Sequence, residues 1–150
     1  MNGHLGRLSL TIVFSLTLSH HASAETAAET VHKWGLIGPW SRDCSLPPDR
    51  NVDALLVYEI VRDGRVVFQR NFGNTTDKSE VVSAEVSGDG MLNLRVFFPS
   101  LNQTRESGLM MQPDGSMRAM YNRSLRGEYT IRDGKFTANG DPTPSLHKCM

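Results

Sequence analysis

The stretch ALLVYEIVRDGRVVFQRNF (54–72) holds two runs of alternating apolar and polar residues, 54–61 and 65–72, about Asp63-Gly64. Alternation at period two places every second side chain on one face of a strand. Asp-Gly supplies the left-handed backbone of a two-residue hairpin turn. The stretch therefore predicts a β-hairpin, and the pattern repeats downstream. EVVSAEV (80–86) and MLNLRVFF (91–98) flank Ser87-Gly88-Asp89-Gly90, and RESGLMM (105–111) and SMRAMYNRS (116–124) flank Pro113-Asp114-Gly115. EYTIR (128–132) and KFTA (135–138) flank Asp133-Gly134, and upstream WGLIGPWS (34–41) reads as a first strand. Eight or nine short strands with tight turns and no long crossover predict an all-β antiparallel up-and-down meander. Closing it into a small barrel over 34–150 removes its edges.

If each hairpin reverses the chain, the turns at 63–64, 89–90, 114–115 and 133–134 share one end. The longer connections, 45–52, 73–78, 99–104 and 125–127, share the other. Cys44 ends the first strand at that looped end, and Cys149 follows a last strand that finishes there too. These are the only cysteines, and their expected proximity suits a disulfide. Closing a loop of about 100 residues is worth up to about 4.7 kcal/mol in the chain-entropy treatment. A catalytic thiol would want a histidine partner and a reducing compartment.

The compartment is read from the N-terminus. One arginine lies in residues 1–7, LSLTIVFSLTL (8–18) is an apolar run, and Ala22-Ser23-Ala24 is a small-x-small site. This three-part pattern is that of a secretory signal peptide over 1–24, and the run is too short for a spanning helix. Export implies an oxidising, periplasmic or secreted location and a mature chain without a membrane anchor. Residues 25–33 read as a flexible leader, or else as the one stretch after the signal peptide with helical periodicity. The whole chain balances 16 basic against 16 acidic residues, and losing Arg7 leaves 15 against 16. That balance offers no basic face for nucleic acid, and a monomer is expected.

One face of the alternation is apolar: Leu56, Tyr58 and Ile60; Val66, Phe68 and Phe72; Val82, Ala84 and Val86. It continues through Leu92, Leu94, Val96 and Phe98, then Met117, Ala119 and Tyr121, and ends on Tyr129, Ile131 and Phe136. Such a lumen either fills with its own side chains or holds one small ligand. Arg70 and Arg123 share this inward parity near the looped end, where Arg42, Arg105 and Arg126 also fall. A guanidinium under a barrel mouth suits an acidic head with an apolar tail below it. Arg70, Arg123, Tyr58 and Tyr121 are accordingly the candidate ligand-binding residues.

No nucleophile–base pair, histidine cluster or spaced carboxylate set is present in the sequence. No catalytic residue, metal or cofactor is therefore expected. The triplets at Asn74, Asn102 and Asn122 fit the Asn-x-Ser/Thr pattern, which matters only in a eukaryotic secretory pathway.

With Gly38-x-Trp40 placed before an antiparallel meander, the chain resembles the lipocalin-like β-barrels. More narrowly it resembles small exported proteins of Gram-negative bacteria. Those open on G-x-W-x-x-D-C-x-x-P-P (here Gly38, Trp40, Asp43, Cys44, Pro47, Pro48) and end in a Gly…Thr-Pro…Lys-Cys tail (Gly140, Thr143, Pro144, Lys148, Cys149). Lipocalins pack an arginine over that tryptophan at the closed end; here the strand stops soon after Trp40, which places it nearer the looped end. The expected function is that of an exported, non-enzymatic protein binding a small apolar or acidic molecule in the barrel. The alternative is a periplasmic inhibitor or partner-binding protein acting on a hydrolase, such as lysozyme or a protease, through loop 73–78 or 99–104.

Overall fold

The structure, a computed structural model, describes residues 24–49 and 53–150. The expected signal peptide, apart from Ala24, lies outside the described residues. After a helix α1 (Ala27–Trp34) come β1 (Gly38–Ser41), β2 (Leu55–Ile60), β3 (Val66–Asn71), β4 (Thr76–Val86) and β5 (Leu92–Phe98). A 3-10 turn (Pro99–Leu101) leads to β6 (Gln103–Met111), β7 (Met117–Ser124), β8 (Tyr129–Arg132), β9 (Lys135–Phe136) and β10 (His147–Lys148). All ten strands join one antiparallel sheet in the order β10-β1-β2-β3-β4-β5-β6-β7-β8-β9. The meander is therefore as expected, with one more strand than counted from the sequence.

Closure is not. The sheet curls into a half-barrel and stays open between β9 and β10. Two causes are visible. β8 and β9 have only four and two residues, and in the tail Pro142 and Pro144 have no N–H to give a ladder. The tail instead crosses as a strap. Thr143 N–H donates to Gly134 O and its hydroxyl to Ala119 O, both at 2.8 Å. Leu146 and Met117 exchange backbone bonds of 2.8 and 2.9 Å. His147 and Lys148 then pair with Ser41 and Trp40.

The Asp-Gly turns form, in two kinds. Around Asp63, Asp89 and Asp114 the loops have three residues, closed by Val61 N–H to Arg65 O, Ser87 N–H to Met91 O and Gln112 N–H to Ser116 O. In each, the glycine takes the left-handed position (φ 80, 85 and 82°) that completes such a loop. The aspartates cap them, accepting from the backbone N–H two residues on. Only Asp133-Gly134 makes the two-residue turn first expected at 63–64, with both residues at positive φ.

Residues 25–33 take the helical alternative to a flexible leader and supply most of α1, and β1 starts at Gly38 rather than Trp34. Thr26 and Glu29 form a capping box, and Gly35 (φ 91°) ends the helix. The helix packs on β4 at the turn end, where Trp34 Nε1 donates to Gly90 O at 3.0 Å. Val31 and Leu36 are fully buried and join the core of Trp40, Val66, Leu92 and Leu94.

Three irregularities change the expected faces. One is an extra Thr130 in β8, which pairs Tyr129 with Arg123 on the outer face instead of turning it inward as expected. A bulge between Val81 and Ser83 turns Val81 in (3% exposed) and Val82 out (50%), reversing the expected assignment of Val82. Val86, Ile60 and Phe136, near strand ends, are also exposed rather than core. The remaining irregularity lies in β7 and decides the site.

Candidate functional site

A cleft of about 200 Å³ opens on the concave face. Phe68, Val96, Phe98, Leu109 and Met117 make an apolar floor, and Ala119, Ile131 and the strap residue Leu146 make one side. A slightly larger hollow, about 260 Å³, lies between Ser41, Arg42, Leu46 and Asp53. Its carboxylate, Asp53, is already bonded by the Ser41 hydroxyl and the Arg42 N–H. The concave cleft is the better-built site.

Arg70 lines this cleft, as its parity implies. Its charge is already met. Gly73-Asn74 makes a two-residue turn, with Phe72 N–H donating to Thr75 O, so 73–78 is not a long loop and Asp77 pairs opposite Arg70. Arg70 Nε and Nη2 donate to the two Asp77 oxygens at 2.9 and 2.6 Å, and its guanidinium lies 5.2 Å from the Phe98 ring centre. This bidentate pair leaves no free charge for a guest's acidic head.

Arg123 and Tyr121 are not where parity put them. Leu109 pairs with Ala119 but Gly108 with Tyr121, so Met120 is an extra residue in β7. Every side chain after it changes face. Tyr121 borders the cleft but lays its ring over Gly108, where a Cβ would fall 2.3 Å from it, and donates its hydroxyl to Asn93 Oδ1 at 2.8 Å. On the same outer face Glu106 accepts from Arg123 and Arg95. Arg42 and Arg126 sit on exposed loops and do not join the cleft.

Hydrogen bonds from Arg123, then Arg95, hold the Glu106 carboxyl below its ordinary value of 4.5. Because the folded-state value is the lower one, the pair contributes stability above about pH 4.5. That contribution fades as pH falls through the folded-state value. With both arginines well exposed, it is expected to be about 1 kcal/mol. Glu106→Gln should show that deficit in urea unfolding at pH 7, shrinking towards zero below pH 4.5.

The bulge that turns Arg123 out turns Asn122 in, directly opposite Ser107. Both line the cleft. Behind them Arg105 donates to Asn122 Oδ1 (2.6 Å), Gln103 Oε1 (3.2 Å) and Thr130 Oγ1 (3.2 Å), and the Thr130 hydroxyl donates to Asn122 Oδ1 at 2.9 Å. Arginine only donates, so this network fixes the Asn122 oxygen and leaves its NH2 group unpaired among the described residues.

Tyr58 belongs to the cleft as expected. It stacks on Phe68 (ring centres 4.5 Å apart) and is 5% exposed. Burial raises its phenol pKa far above the usual range, more than the nearby Arg70 charge lowers it. The group stays neutral in ordinary buffers.

The disulfide Cys44–Cys149 is present, with Cα atoms 5.4 Å apart. It points to an oxidising location. Above Trp40, Lys148 places its Nζ 5.4 Å from the ring centre and donates to Gly35 O. Gly38 (φ 127°) lies beneath the lysine stem, its absent Cβ 2.9 Å from Lys148 Cε. Among the described residues no helix is long and apolar enough to cross a membrane.

Set against known proteins, the chain matches no family model, no curated protein and no solved structure. The class defined is thus an all-β antiparallel half-barrel with a concave cleft, and the resemblance to lipocalin-like proteins extends only to its curled sheet.

Proposed function

We propose that the protein is an exported, non-enzymatic binding protein that takes one small, mainly apolar molecule in its concave cleft. The observation that carries this reading is the cleft itself: an apolar floor with a few convergent polar groups, the usual composition of a small-molecule site. Its volume of about 200 Å³ is below that of drug-sized pockets, whereas a cavity of about 150 Å³ accepts benzene. The guest is therefore a single ring or a short chain. Export rests on the three-part pattern of 1–24 together with the disulfide. The inhibitor alternative relied on loops 73–78 and 99–104. Residues 76–78 and 103–104 lie in β4 and β6, which leaves short tips rather than inserting loops.

Ala119 offers a direct test, because it lines the cleft from a strand and a ring added there takes up cleft volume. A ligand-observed NMR screen of single-ring aromatics and short-chain alcohols should find binders to the wild type. Ala119→Trp should lose them by tenfold or more while keeping its cooperative unfolding. Binding that survives Ala119→Trp, or a screen without binders, would overturn the reading.

A further inference from the structure

Tyr58 is about nineteen-twentieths buried, yet its hydroxyl makes no hydrogen bond with any described residue. No unpaired side-chain oxygen or nitrogen among the described residues is sealed from solvent, so the phenol oxygen opens to the cleft it lines. Ser107 is likewise without a side-chain hydrogen bond, and Asn122 has only its NH2 group to offer. A hydroxyl set against an apolar floor without a protein partner gives the fold nothing that phenylalanine would not. Its place against the apolar floor is explained if a guest supplies the missing bond.

We propose, building on the cleft as a binding site, that Tyr58 is its specificity-determining residue. Its hydroxyl donates to a carbonyl-type oxygen of a neutral, single-ring or short-chain guest, with Ser107 and the Asn122 NH2 group as further donors. An acceptor is favoured because the Asn122 NH2 group and Arg70 only donate and the asparagine oxygen is already filled by Arg105 and Thr130. That leaves the Tyr58 and Ser107 hydroxyls, which can donate, as the only acceptors among these groups. A neutral group is selected over a carboxylate because both Asp77 oxygens already bind the one guanidinium lining the cleft. A guest carboxylate would lose its water without gaining a free cation.

The test uses the full disulfide-bonded protein and three probes of similar size: acetophenone, ethylbenzene and benzoate, titrated by NMR or calorimetry. Acetophenone is expected to bind at least about tenfold more tightly than ethylbenzene, the scale of one retained hydrogen bond. Tyr58→Phe should cut that ratio severalfold, the remainder being carried by Ser107 and the Asn122 NH2 group. Free of probe, Tyr58→Phe should unfold at or above the wild-type temperature, because no bond is lost. Equal binding of acetophenone and ethylbenzene to the wild type would overturn this inference and leave the cleft reading standing. Tighter binding of benzoate than of acetophenone would overturn the preference for a neutral head. Failure of all three probes to bind would overturn the cleft reading itself. A Tyr58→Phe variant markedly less stable than wild type would show that the hydroxyl serves the fold.

Discussion

Replacing Cys44 and Cys149 together by serine is expected to lower stability by about 2–4 kcal/mol, a fall of roughly 10 °C or more in the unfolding midpoint. The bond joins residues 105 apart, so the unfolded chain gains much freedom when it is cut. Native contacts compound the loss. The tail is held by a two-residue strand, the Leu146–Met117 pair and the Thr143 bonds, and it alone spans the gap between β9 and β1 among the described residues. Leu146 walls the cleft, so fraying of the tail should also weaken guest binding. Scanning calorimetry with and without reductant measures the first effect. A shift under 2 °C would mean that the strap holds without its bond.

Trp40→Ala should cost about 3–5 kcal/mol, the range for truncating a large buried aromatic. The ring is 1% exposed in the core, and its Nε1–H donates to Leu36 O at 2.7 Å. Trp40 thereby joins three segments: the residues after α1 below it, Leu56 of β2 beside it and Lys148 of β10 above it. Trp40→Phe keeps most of the packing but leaves the Leu36 carbonyl without this donor, for a smaller loss of about 1–2 kcal/mol. Urea midpoints measure both. Equal losses for the two variants would show that the hydrogen bond, not the ring volume, dominates.

The hairpins were legible because period-two alternation and Asp-Gly turns are local signals, and the turn at Asp63-Gly64 differs from expectation only in having three residues. The disulfide was legible because the chain has two cysteines and its N-terminal pattern implies an oxidising compartment. The count of strand directions stopped at 135–138, whereas the tail runs on into β10, antiparallel to β1. What escaped was set by single inserted residues. Val82 and Met120 leave no mark in composition, yet each shifts the register of all that follows on its strand. This is why Arg123 and Tyr121 were assigned to the wrong face and Asn122 was overlooked. Asp77 had a readable signal: Gly73-Asn74 is a two-residue turn pair, and that register sets Arg70 opposite Asp77. The open edge reflects the brevity of β8 and β9 and the tail prolines, features a strand count ignores. α1 was readable only as the alternative to a flexible leader, because two turns carry little periodicity and burial of Val31 comes only with the sheet in place.

The central claim is that the concave cleft receives a small guest. The most direct measurement is methyl chemical-shift mapping during titration with acetophenone, following Leu109, Ala119, Ile131 and Leu146 of the cleft and Val82 of the outer face. The account predicts saturating shifts at the four cleft methyl groups and none at Val82. Shifts at Val82 alone, or no shift at the cleft up to the solubility limit of the probe, would contradict it.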